Sequence, residues 1–127
     1  MQDQTKVPQK YLDLINQVFE IEKKALAMQE QNSISRNINK IKEMIEHEFF
    51  SPETSQQSVG FIYHNPVGES YNETRTDCEA SISGTSTDNL EIIEVIKPII
   101  FLKQGGIKRM VQKAVIVAQS KNLTPNT

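Results

Sequence analysis

The chain has 127 residues and a mass of 14.4 kDa, room for one ordinary domain or for a small domain with a helical attachment. Only 37% of its residues are hydrophobic, and a chain this short buries about two-thirds of its unfolded surface, so an elongated or subunit-assisted protein is expected. Length excludes an α/β barrel, which needs roughly 250 residues, and a net charge of −2 with no Lys/Arg block excludes a nucleic-acid stripe.

The chain divides near residues 51–58. Before that stretch there is no Gly and the only Pro is Pro8; after it lie all five Gly. The bridge Ser51-Pro52-Glu53-Thr54-Ser55-Gln56-Gln57-Ser58 is polar and opens with a helix-stopping Ser-Pro. A helical half (1–50), a linker (51–58), a small β-domain (59–120) and a disordered tail (121–127) follow from this reading.

The first helix carries two adjacent seams. Tyr11, Leu14, Val18, Ile21, Ala25 and Met28 recur at steps of three and four, with Leu12, Ile15, Phe19 and Leu26 beside them. So wide an apolar face packs against more than one helix. After the polar stretch from Gln29 to Ser33, Ile34, Ile38, Ile41, Ile45 and Phe49 form a second, narrower stripe. On one straight helix it would be centred roughly 150° from the first. Two helices joined near 29–33 turn both faces inward, and Asn32 or Ser33 can cap the second.

The C-terminal half reads as short strands at Val59 to Tyr63, Cys78 to Ser83, Leu90 to Ile96, Ile99 to Leu102 and Ile107 to Ala118. Gln104-Gly105-Gly106 is a tight-turn signal, because Gly takes positive φ without steric cost. Val115 and Val117 are expected in the core. The fold class is α+β: a helical dimerisation segment followed by a small all-β domain.

Chemistry-bearing patterns are few. There is neither a P-loop nor a Gly-x-Ser-x-Gly elbow. The single Cys78 cannot form an internal disulfide, and with two histidines it leaves too few ligands for a structural zinc, so a reducing, cytoplasmic setting is expected. Consistent with that expectation, the opening Met-Gln-Asp-Gln lacks a signal-peptide core, and no apolar run nears the ~20 residues of a membrane span. His47 reads as a solvated helix residue and His64 as a turn or edge residue. A His64–Cys78 nucleophile pair would need an orienting group that the sequence does not offer. Glu69, Glu73, Asp77 and Glu79 read as a solvated loop, without the Gly and spacing of an EF-hand. No catalytic residue, metal or cofactor is expected.

Three stretches together resemble the GrpE nucleotide exchange factors, partners of DnaK-type chaperones. The run from Tyr11 to Leu26 looks like the family's bundle helix, and Ser33 to Phe50 like the helix before its β-domain. Asn65-Pro66-Val67-Gly68-Glu69-Ser70-Tyr71 is similar to the family's Asn-Pro-x-Gly turn. Cys78-Glu79-Ala80 stands where His-Glu-Ala is usual. Ile93 to Leu102, Gly105-Gly106, Lys108-Arg109 and Ala114 to Ala118 are similar to the closing strands and the basic turn between them. The resemblance spans about residues 11–120. Only about ten residues precede Tyr11, where the family has a long helical stalk, and Pro98-Ile99-Ile100 stands where Gly and Tyr are common.

The resemblance implies a homodimer built on a four-helix bundle, two hairpins of two helices each; the apolar stripes assign Leu12, Ile15, Phe19, Leu26, Ile34, Ile38, Ile41 and Ile45 to its core, the alternative being that these helices cover the β-module's own face. It implies a β-domain docked on a chaperone's ATPase domain through Lys108, Arg109, Gly105, Gly106 and Ile99. The expected activity is accelerated ADP release in protein folding and the stress response, without chemistry of its own and without nucleic-acid or membrane partners. The alternative is a GrpE-like dimeric adaptor lacking exchange activity.

Overall fold

The structure is a computed structural model that describes residues 7–28, 33–47, 49–51 and 58–121. The chain is α+β, with two helices followed by a β-rich region: α1 (Gln9–Ala27), α2 (Ile34–Glu46), β1 (Gly60–His64), β2 (Ser70–Tyr71), β3 (Cys78–Ser83), β4 (Leu90–Lys97), β5 (Ile99–Gln104), β6 (Ile107–Gln112) and β7 (Ala114–Ser120). Residues 29–32, most of the expected linker (52–57) and the tail from 122 lie outside the described residues. Among the described residues, no helix is long and apolar enough to cross a membrane.

The strands form two sheets, ordered β1-β5-β6 and β2-β4-β7-β3. The chain divides into two compact units, one of residues 1–63 with 100–111, the other of 64–99 with 112–127. This corrects the expected boundary at 51–58. The three-stranded sheet belongs with the helices, because it shares their core.

In the first unit, Leu12, Ile15 and Val18 of α1 and Ile45 of α2 are buried in one cluster with Val59, Phe61, Ile100 and Leu102. A sheet face must be covered, and two amphipathic helices of the same chain cover it without the translational entropy cost of association. α1 starts directly after Pro8, whose carbonyl accepts from Tyr11 N–H at 3.0 Å. Ser33 precedes α2 as expected of a cap, but its side chain makes no capping bond; its carbonyl accepts from Arg36 and Asn37 N–H. Between α2 and β1, Phe50 and Val59 exchange backbone hydrogen bonds at 3.0 and 2.7 Å. Tyr11, Phe49 and Phe61 add edge-on ring contacts at 5.6 and 6.1 Å.

The second unit is built on a mixed sheet. β7 runs antiparallel to β4 and parallel to β3. One sheet face presents Cys78, Ala80 and Ile82 opposite Ala114, Ile116 and Ala118, with Ile92 and Val95 paired to Ala118 and Ile116. Most of these side chains are buried. The expected strand from Ile107 to Ala118 is two strands, interrupted at the exposed Lys113. β2 was not anticipated, since two residues are too short to show alternation.

Candidate functional site

The expected partner-binding residues lie mainly on the β5–β6 hairpin. Gly105 has φ +62° at the first central position of the two-residue turn, the position where a type II′ turn needs glycine. Gly105, Gly106, Ile107 and Lys108 are exposed and Arg109 is half-buried. The Lys108 ammonium sits 4.5 Å from the centre of the Phe101 ring, so a cation–π contact holds the charge over β5. Ile99 is a correction. It is 1% exposed, so it offers a partner no surface.

The eight residues assigned to a bundle core divide. Leu12, Ile15, Phe19, Ile38 and Ile45 are buried within a single chain, the first two and Ile45 against its own sheet, and Phe19 edge-on to Tyr63 at 5.8 Å. This corrects their assignment to a seam between copies. Leu26, Ile34 and Ile41 remain exposed. So do Leu14 (48%) and Ile21 (50%), seven residues apart on α1, Met28 just after its end, and Met44 on α2. The two seams of α1 are therefore not kept apart: Leu12, Ile15, Val18, Phe19 and Ala25, drawn from both, are buried, while Leu14, Ile21, Leu26 and Met28, also from both, are exposed.

A polar contact that sequence reasoning missed joins α1, α2 and β1. Tyr63 donates to Glu22 Oε1 at 2.6 Å, and Lys42 donates to Glu22 Oε2 at 3.1 Å while lying 4.9 Å from the Tyr63 ring centre. Burial, then the Glu22 carboxylate, push the Tyr63 hydroxyl far above its usual range, so it stays a donor. Lys103 of β5 donates to Glu46 of α2 at 2.8 Å, and this bond holds the Glu46 carboxyl below its usual range. No sequence periodicity links positions so far apart in the chain.

In the second unit, three of the residues weighed as catalytic or metal-binding, His64, Glu69 and Asp77, are linked through polar contacts with Arg75. His64 Nε2 is 2.5 Å from Glu69 Oε2, and Arg75 donates to Glu69 Oε1 at 2.7 Å, to Asp77 Oδ1 at 2.7 Å and to the Ser70 carbonyl at 3.0 Å. Burial would raise Glu69, but the bonds from Arg75 and His64 outweigh it and hold it low; Arg75 likewise holds Asp77 low. Asn65 Oδ1 accepts from Val67 N–H at 3.1 Å, closing the Asn-Pro turn between these partners. The cluster ties the 64–77 connection together. Cys78 beside it is buried, and burial pushes its thiol up to about 11, the opposite of an activated nucleophile. Among the described residues no group of three or more His, Cys, Asp or Glu could hold a metal ion.

The arrangement predicts an acid-dependent loss. Replacing Arg75 with alanine should cost about 1–2 kcal/mol at pH 7, since it frees two carboxylates and a carbonyl. The carboxylates are depressed in the folded state, so their contribution is full above about pH 4 and fades as pH falls through their lower folded values. Urea unfolding at pH 7 and again near pH 3 should show the gap between wild type and Arg75→Ala closing in acid.

Comparison with protein-family models, with curated proteins and with solved structures returns no match.

Proposed function

We propose that the chain is a GrpE-like co-chaperone that binds the ATPase domain of a DnaK-type chaperone and speeds ADP release. The reading rests on the resemblance and on one structural observation: the β5–β6 hairpin projects Ile107 and Lys108 beside a glycine turn, at the positions where the family carries its basic turn. A carboxylate-bearing surface on the chaperone suits this tip, with Arg109 behind Lys108 as a forked donor. The mechanism is population shift. A factor that binds the open nucleotide cleft more tightly than the closed one favours the open form by that ratio, and ADP weakens the factor's binding by the same ratio.

Dimerisation belongs to the same proposal. Two helices per chain, paired with two from a second copy, would enclose a four-helix core. The proposed seam uses Leu14 and Ile21 of α1 and Met28 just after it, with Ile34, Ile41 and Met44 of α2, apolar side chains that a single chain leaves exposed. The seven-residue step from Leu14 to Ile21 suits a helix–helix seam, and a contact between two copies of one chain favours two-fold symmetry.

Calorimetric titration of the chain into a DnaK-type ATPase domain tests the docking. Binding should be tighter without ADP than with it. Lys108→Glu combined with Arg109→Glu should weaken it at least about tenfold, because two attractive charges become repulsive. Binding that ignores both the nucleotide and these substitutions favours the adaptor reading.

A further inference from the structure

The three-stranded sheet of the first unit ends on β6, so one edge of that strand has no neighbour in the sheet. In a hairpin closed by the two-residue turn Gly105-Gly106, the flanking Gln104 and Ile107 form a hydrogen-bonded pair. Such pairs alternate along an antiparallel ladder, so Ile107, Arg109 and Val111 turn their N–H and C=O groups toward β5. Lys108 and Met110 turn theirs outward. Among the described residues, no other strand, turn or loop bonds to these outward groups. Lys108 is exposed and Met110 half-buried, so the edge can be reached.

Natural sheets guard such an edge by shortness, proline, a bulge, a cover or charge. β6 has six residues, as many as β5, and no proline. Charge is its guard, and the charge has one sign. From Lys97 to Lys121 the chain carries Lys97, Lys103, Lys108, Arg109, Lys113 and Lys121 and no Asp or Glu. The helices of the same unit do not reverse that sign. α1 and α2 together hold six basic and five acidic residues, and Glu20, Glu22 and Glu46 are already matched to Lys23, Lys42 and Lys103. An edge of this kind repels a second basic strand and admits an acidic one.

We infer that β6 takes up an extended acidic segment of the partner that this hairpin docks, paired to it as an added strand. Main-chain bonds to the outward groups of Lys108 and Met110 supply affinity, and carboxylates beside Lys108 supply selection. A second copy of β6 is a poor occupant, because like charges would meet across the new ladder. The inference rests on the proposed chaperone docking and gives that contact its mode.

The probe is a synthetic peptide of alternating glutamate and valine, as long as β6, added to the isotope-labelled full chain and followed by backbone amide shifts. Saturable shifts should concentrate at 107–112, and the lysine–valine counterpart should not bind. An added strand directs every second N–H at its neighbour, so N-methylating one alternate set of peptide residues should abolish binding while methylating the other spares it. These arms leave the protein unaltered, so no folding defect can mimic them. Met110→Pro removes an outward N–H that the fold does not use and should weaken binding about tenfold or more. Met110→Ala, which keeps that N–H, should bind nearly as well as the natural chain. Titrated into the ATPase domain of a DnaK-type chaperone, Met110→Pro should weaken binding likewise. Loss with Lys108→Glu/Arg109→Glu but not with Met110→Pro would leave the docking standing and overturn strand addition. Shifts centred on β3, an edge of the other sheet, equal effects of the two methylated sets, or equal binding of the basic peptide would also overturn it.

Discussion

Replacing Gly60 with alanine should cost about 3 kcal/mol or more and lower the melting temperature by roughly 10 °C. A Cβ built on Gly60 would lie 1.8 Å from the backbone carbonyl oxygen of Glu46 and 2.4 Å from its carbon. Overpacking a side chain can be relieved by a rotamer change, but here the obstacle is the last residue of α2. Either the helix end or the first residue of β1 must move. Ile45, immediately before Glu46, is buried against Phe61, immediately after Gly60, in the same cluster. The shift therefore propagates into the core rather than into solvent, so the cost should sit at the upper end of the overpacking range. Thermal melting and urea unfolding of Gly60→Ala against Gly68→Ala separate this clash from a turn effect, since nothing lies within 4 Å of a Cβ at Gly68. Equal losses at the two sites would contradict the close approach.

The second large effect concerns self-association. Leu14→Asp with Ile21→Asp should turn the proposed dimer, of about twice 14.4 kDa, into a monomer without unfolding it. Both side chains are about half exposed in the single chain, so an Asp there costs the isolated fold little. At a helix–helix seam each Leu or Ile contributes roughly 1.5–3 kcal/mol, and a buried carboxylate costs more, so the dissociation constant should rise at least about 100-fold. Ile15→Ala is the counterpart. Ile15 is wholly buried against the sheet, so its truncation should cost about 2–5 kcal/mol of folding stability and leave the mass of the folded protein unchanged. Light scattering and melting curves on the two variants distinguish the seams. A reversed pattern would return the dimer contact to the residues first assigned to it.

The contrast between these substitutions also marks what the sequence could reveal. Leu12 and Leu14 lie two positions apart and are equally apolar, and periodicity identified both as seam residues. What it could not reveal was which members of the two seams meet the protein's own sheet, because that depends on contacts between α1 and strands some 90 residues later. The same limit explains the misplaced boundary. Composition changes abruptly at 51–58, yet β5 and β6 return to the helices and pack with them, and no local signal marks a return. Elements with local causes were legible. Cys78–Ser83 has the predicted bounds, and Gly105-Gly106 forms the predicted turn. Ile99 shows the weakness of assigning contacts by proximity along the chain: it lies within a few residues of an exposed hairpin but is buried. The Tyr63–Glu22–Lys42 contact and the Arg75 bridge were invisible because ordinary polar residues become partners only once the fold joins them.

Release of fluorescently labelled ADP from the ATPase domain of a DnaK-type chaperone, followed by stopped flow, tests the central claim most directly. The release rate should climb at least about tenfold and saturate as the chain is added, and the Lys108→Glu/Arg109→Glu variant should fail to raise it. A rate unchanged at concentrations that saturate binding would contradict the exchange function.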